Sequence, residues 1–463
     1  MTTFTLRRTP LAVAVCSAIL CAPTGADNLF DDAAPARDLY TAGAGYDFNG
    51  FDVTALPDGQ FAVVWVETED SGETSYVKLA RFNAEGDAVG EALTVEESDS
   101  AHDAPREPVV AAGADGDMVV AWESRDAVRN LECDSVSYKL VSHENTVSDG
   151  ISLGSGDLCR VRAAMNDDGA FVLAGYERDS EGQPGDYLAW RFSANGTKIN
   201  PGPIYMGQGN EYVILPPAVT MQGDTFTLAW NGSQGRLLAQ RYNVNGTALS
   251  DSFRLDNDEQ SGPSVSQTYP TLAGDEEGGF VGFWYQIGSD GEGGTDDHQL
   301  GHRWAADGTA VAALEAGEDA IRGNVDERAP ISVATDGDGL ILAGWSFVNI
   351  DAERMESRVA AFRDGQRLGD GPMTVATTGE DTDVYSDLTR VVISGGTATV
   401  LWYQREPGEN AVIRARSVTV SEPAAEEPAS GGEDNGGGGS SGGASGPLVL
   451  LGLGLLALRR RLR

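Results

Sequence analysis

A short motif recurs seven times along this chain. It reads DGQFAVVW at 58–65, DGDMVVAW at 115–122, DGAFVLAGY at 168–176 and GDTFTLAW at 223–230, then GGFVGFW at 278–284, DGLILAGW at 338–345 and GGTATVLW at 395–402. Each copy closes on an aromatic residue: Trp65, Trp122, Tyr176, Trp230, Trp284, Trp345 and Trp402, at spacings of 57, 54, 54, 54, 61 and 57 residues. Six of the eight tryptophans occupy this one slot. So rare a residue held at one phase of a repeat marks a periodic core position, not a scatter of binding aromatics.

The rest of each unit is also repetitive. RFNAEG (81–86), RFSANG (191–196), RYNVNG (241–246) and RWAADG (303–308) follow the aromatic slot, and a short apolar run such as EALTV (91–95), DSFRL (251–255) or PMTV (372–375) comes next. Alternating β-branched and polar residues, punctuated by Gly, Asn and Asp, read as four short strands per unit, and no segment reads as an amphipathic helix. Seven such units specify an all-β chain, a seven-bladed β-propeller of four-stranded antiparallel blades. A row of immunoglobulin-like domains would repeat every ~100 residues instead. Unit seven stops after its third strand, AVIRARSV (411–418), while RDLYTA (37–42) precedes the first strand of unit one. That N-terminal strand is expected to complete blade seven and close the ring, which removes exposed edges. The units resemble a repeat of exported bacterial proteins with the pattern P-x-VAALxDGGFVVVW…RxFDxDG; the resemblance covers roughly 36–420, implies the propeller and carries no fixed activity.

Connections between strands one and two, and three and four, are short and stereotyped (PDGQ, ADGD, NAEG, SANG, NVNG). The others are long, varied and acidic: ETEDSGET (67–74), EESDSAHDAPREP (96–108), ERDSEGQPGD (177–186), DNDEQSGPSVSQTYP (256–270), QIGSDGEGGTDD (286–297) and EAGEDAIRGNVDERAP (315–330). The two sets fall on opposite rims, and the long-loop rim is the candidate binding face.

Lys+Arg 32 against Asp+Glu 71 gives a formal charge of −39. So acidic a surface excludes nucleic-acid binding. Solubility accounts for the acidity; the sharper alternative is cation binding, with Asp290, Glu292, Asp296 and Asp297 as candidate ligands for a weak Ca2+ site and no other cofactor expected. His298 and His302 in HQLGH fall on a strand, lack the Glu of a metalloprotease helix, and read as strand-surface residues. Asp115-Gly-Asp117 and Asp336-Gly-Asp338 coincide with the repeated hairpin turn. No nucleophile elbow is present, and carboxylates are too numerous to single out a glycosidase pair. No catalytic residue is therefore assigned. A non-catalytic binding or adhesion module with a glycan or protein ligand is the expected function; a carbohydrate-active enzyme using rim carboxylates, or a structural envelope protein, is the alternative.

Arg7-Arg8, the apolar stretch 11–22 and the small residues Thr24-Gly25-Ala26 read as an export signal (1–26) cleaved after Ala26. In an oxidising compartment the two remaining cysteines are expected to pair: Cys133 starts the third strand of unit two, Cys159 follows that unit's fourth, and both sulfurs should reach the long-loop rim. The propeller then spans 27–420, followed by a Pro/Glu/Gly/Ser-rich linker (421–446) and a short apolar segment with an arginine cluster (447–463). Twelve apolar residues, Pro447–Leu458, span about 18 Å as a helix, short of a ~30 Å hydrocarbon core. Glycine run, apolar segment and terminal arginines together resemble the GlyGly-CTERM sorting signal of Gram-negative bacteria. That resemblance implies export machinery and a rhomboid-type protease, rhombosortase, as partners. It also implies transient inner-membrane association before display on the cell surface or secretion.

Overall fold

The computed structural model describes residues 29–30 and 33–420, apart from 73, 101–102, 127–130, 156–157, 179–183, 200–201, 210–214, 233–235, 256–265, 276–277, 290–294, 318–329, 350–353, 378–388 and 406–407. The chain divides at Val420 into this body and a C-terminal unit, Ser421–Arg463, which lies outside the described residues, as do the export signal and the cleavage position at Ala26.

Seven four-stranded antiparallel sheets make up the body, and six of them take their strands in simple chain order. Their first strands are Tyr46–Ala55, Ala104–Ala112, Cys159–Met165, Ala218–Gln222, Ser266–Gly274 and Ser332–Thr335; Thr389–Ser394 is the first strand of the seventh. Each lies beside the first strand of the next blade, and the seventh returns to the first, so these strands encircle a central axis. The protein is a seven-bladed β-propeller.

Alternation along each strand sends side chains to both faces, and each face meets a neighbouring blade. The buried apolar residues accordingly form seven clusters, one per blade interface. Trp65, Trp122, Trp230, Trp284 and Trp345 each pack into the cluster shared with the preceding blade. Trp402 is likewise buried, at 3% exposure. Tyr176 departs from the slot: it packs into the cluster shared with the following blade, beside Trp230. DGAFVLAGY carries one more residue than DGDMVVAW, and one residue of slip flips a strand side chain to the other face. The slot position in blade three is Gly175, where a Cβ would meet the Cys159 carbonyl oxygen at 2.7 Å and the Leu158 side chain at 2.9 Å. No indole fits there.

Arg37–Thr41 pairs antiparallel with Val412–Thr419 and completes blade seven. The N-terminal strand therefore closes the ring. Its Tyr40 ring lies 4.3 Å from Trp65 of blade one. The Tyr40 hydroxyl donates to Glu67 Oε2 at 3.1 Å, and Lys78 Nζ reaches the same oxygen at 2.5 Å. Gly43 N–H donates to the other oxygen at 2.9 Å, so the carboxylate, almost fully buried, is satisfied on both sides.

The arginine of the RF and RY motifs stitches the short-turn rim. Arg81 Nη2 donates to the Ser142 carbonyl at 2.9 Å, Arg191 Nη1 to Val244 at 2.7 Å and Arg241 Nη2 to Gly278 at 3.1 Å, each in the next blade. Gly246 shows why the turn ends in glycine: its φ is +79°, and a Cβ would lie 2.6 Å from the Arg191 guanidinium.

Cys133 and Cys159 form a disulfide with Cα atoms 5.9 Å apart. Cys133 belongs to the third strand of blade two (Leu131–Val141), but Cys159 opens the first strand of blade three. The expected pairing is present, and the bond ties blade two to blade three. Only a short connection separates the end of blade two's last strand (Ile151–Ser155) from Cys159.

Candidate functional site: the channel mouth

First strands begin at the long-loop end of the ring and run toward the short turns. Near that beginning, four of them carry the same distortion. Pairing slips between Phe48 and Phe51, Arg106 and Val109, Cys159 and Arg162, and Thr268 and Thr271. At each slip one residue has positive φ: Gly50 (97°), Glu107 (46°), Arg160 (54°) and Tyr269 (56°). Among the described residues the other non-glycine positions of positive φ are Asp58, Asn145 and Asp364, types that tolerate this conformation in turns. Glu, Arg and Tyr do not, and each such residue costs on the order of 1 kcal/mol or more. Bulges of this kind re-aim side chains.

Charge collects around these bulges. Glu107 pairs with Arg160 of the next blade and with Arg106 Nη2 at 3.2 Å. Arg390 of blade seven pairs with Asp52 of blade one at 3.2 Å, and Asp52 also accepts the Val110 N–H of blade two at 3.1 Å. Burial pushes the Glu107 carboxyl up, but Arg160, Arg106 and Arg162 together outweigh it and hold the group below its ordinary range. Glu107 in turn pushes the Arg160 guanidinium above its ordinary value. Burial draws Arg162 down, with Glu107 opposing, and Arg162 also feels Arg390, three blades around the ring. Half-buried on a first strand, Arg162 is within electrostatic reach of Arg390 of blade seven and Asp52 of blade one, so it faces the axis that these strands encircle.

Behind this group sits Glu123, 1% exposed, in the interface of blades two and three. Its Oε1 accepts the Val161 N–H at 3.1 Å. Desolvation, then the Glu107 charge, raises its pKa to about 7. Glu123 directly follows the aromatic slot, and the same position recurs as an inter-blade clasp. Asn231 Nδ2 donates to the Gln267 carbonyl at 3.0 Å, Ser346 Oγ lies 3.0 Å from Thr389 Oγ1, and the Tyr403 hydroxyl donates to Asp47 Oδ1 at 2.6 Å. The sequence signal was a polar residue immediately behind the aromatic in these four copies (WE, WN, WS, WY).

Because Glu123 holds its proton more tightly folded than unfolded, the folded state binds more protons between the ordinary value of 4.5 and about 7. Stability contributed there falls as pH rises through that window, by on the order of 3 kcal/mol. Glu123→Gln keeps the bond to Val161 and is expected to flatten the dependence; melting temperatures from pH 4.5 to 7.5 check this, and parallel curves for both proteins would refute it.

The sequence-derived candidates lie elsewhere. Asp290 and Glu292 are outside the described residues, while Asp296 and Asp297 occupy consecutive positions in the third strand of blade five, opposite Gly288 and Ile287. Among the described residues no group of three or more His, Cys, Asp and Glu is placed to hold a metal ion. His298 and His302 lie on that same strand; His302 is half-buried, its ring 5.3 Å from Trp304. Asp117 Oδ1 accepts the His143 N–H, and Asp336 Oδ1 accepts the N–H groups of Asp338 and Leu340, so both DGD motifs serve their turns. Of the long acidic loops, 256–265, 290–294 and 318–329 lie outside the described residues.

Fold and site define a class: a closed seven-bladed propeller with paired charged groups at the long-loop end of its first strands. No family model matches the sequence, and no curated protein matches it. Solved structures similar to it include a Dyadobacter fermentans protein of unknown function (13% identity, TM-score 0.48, 83% of this chain and 99% of that one). The polysaccharide lyase Uly1 is similar at 12% identity and TM-score 0.44, over 81% and 90% of the two chains. A Penicillium chrysogenum α-L-arabinanase complexed with arabinobiose is similar at 9% and 0.41, over 84% and 98%. Such likeness concerns the propeller alone, and nothing about activity follows from it.

Proposed function

We propose that this protein is an exported, non-catalytic binding propeller whose ligand face is the long-loop mouth of the axial channel. One observation carries the reading: Glu107, Arg160 and Tyr269 hold a costly backbone conformation at the same rung of three blades, at the long-loop end of their first strands. The opposite rim is a poor rival, since Arg81, Arg191 and Arg241 are spent there on stitching turns. Glu107 and Glu123, pushed in opposite directions, have the pattern of an acid–base pair. Glu123 is sealed between blades and hydrogen-bonded to backbone, however, which favours binding over hydrolysis.

Residues 1–26 fit an export signal and 421–463 fit a routing label of the GlyGly-CTERM kind, cut by a rhomboid-type protease after transient inner-membrane residence. Among the described residues no helix is long and apolar enough to cross a membrane. Intact mass of the mature protein is expected to show Asp27 first and the segment 447–463 gone; an unclipped Arg463 would defeat the routing reading. A glycan and peptide array probed with the full chain, with and without calcium, is expected to return saturable binding without product release. Release of shortened glycans would replace this reading with the enzymatic one.

A further inference from the structure

We propose that the channel mouth binds a monoanionic, carboxylate-bearing ligand through the guanidinium groups of Arg162, Arg106 and Arg160. The inference rests on the reading of that mouth as the ligand face. It starts from donors the protein leaves unused. Among the described residues, Arg162 makes one hydrogen bond, from Nη1 to the Val161 carbonyl at 2.7 Å, and no ion pair. Arg106 Nε is buried without an acceptor. Buried donors of this kind are costly to leave unmade, and a guanidinium surrounded by protein without a paired carboxylate is costlier still.

The charge balance points to the ligand's sign and size. Arg106, Arg160, Arg162 and Arg390 face two depressed or paired carboxylates, Glu107 and Asp52, together with Glu123. The surplus is one positive charge with Glu123 ionised and two with it protonated. This surplus sits inside a chain of net charge −39, whose outer field repels anions, so only a built local site would draw one in. Glu107 already shows the acceptor the arginines favour: a planar carboxylate shared between guanidinium groups. With Glu123 ionised a dianion exceeds the surplus, and in either state it meets repulsion from Glu107 and Asp52.

Glu123 is faced by Arg106 and Glu107 from blade two's first strand and by Arg160 and Arg162 from blade three's. Its ionisation lowers the surplus, so affinity is expected to weaken as pH rises through about 7, and Glu123→Gln to remove that step.

The test is calorimetric titration of the full chain with sodium D-glucuronate, against D-glucose and sodium sulfate. Glucuronate is expected to bind and glucose not, with sulfate weaker. Arg162→Ala should lose roughly tenfold or more in affinity, Arg162→Lys should recover part, and Arg367→Ala, exposed at the short-turn end of blade six, should change nothing. Melting temperature gives the second readout: Arg162→Ala should melt at or above the wild type, whereas a supporting structural role would lower it and overturn the proposal. Equal glucuronate binding by wild type and Arg162→Ala, or tighter sulfate, also overturns it. If neutral glycans or peptides bind both proteins alike, the anion inference falls and the mouth remains the ligand face; if no ligand class binds in the array either, both fall.

Discussion

Deleting residues 37–42 from the full chain is expected to abolish cooperative folding. The strand Arg37–Thr41 covers one edge of blade seven, and without it Val412–Thr419 becomes an open edge whose Ile413 and Ala415 are buried in the native ring. The loss also removes Tyr40 and the chain leading to Gly43 N–H, two of the three partners of the buried Glu67 carboxylate. Breaking a buried polar network of this kind costs about 3–5 kcal/mol by itself, before the apolar area is counted. Most of the margin of an ordinary domain is of that size. Urea unfolding followed by circular dichroism is the measurement. A sharp transition within about 1 kcal/mol of the wild type would show that the ring closes without this strand. Tyr40→Phe, which keeps the packing on Trp65 and loses the hydroxyl, should cost only about 1 kcal/mol.

The second large effect concerns the disulfide. Replacing both cysteines by serine is expected to cost about 3 kcal/mol, the loop-closure value for a sequence separation of 26. The bond joins blades two and three directly beside Arg160, so its loss should also loosen the bulge that holds that arginine. Equilibrium unfolding of the double variant, and of the wild type with reductant, should agree. Two free thiols in the native wild-type protein would contradict the pairing.

Much of the scaffold was legible because it is written in local periods. An aromatic slot every 54 to 61 residues, with turn glycines at fixed offsets, is enough to count blades and to see that the seventh lacks a strand. Errors of one residue were not legible. Tyr176 looks like a member of the slot, yet one extra residue before it turns its ring to the opposite blade. The Cys133–Cys159 pairing was legible, whereas that Cys159 opens the first strand of blade three was not. The channel mouth was invisible for a different reason. Arg390 and Asp52 are 338 residues apart, and Arg106, Glu107, Arg160 and Arg162 come from two further first strands. No spacing rule within a repeat brings such residues together; only closure of the ring does. The acidic loops drew attention by composition, while the few arginines that the short-turn rim does not use carried the information.

Arginine footprinting bears most directly on the channel mouth as the ligand face. The full chain is treated with 2,3-butanedione, with and without saturating sodium D-glucuronate, and modification is read by mass spectrometry. Arg162 is expected to be slowed strongly by glucuronate, Arg106 and Arg160 with it, while Arg367 and Arg416, toward the short-turn end, react at unchanged rates. Uniform rates at all five arginines, or protection confined to the last two, would contradict the channel mouth as the place where this propeller holds its ligand.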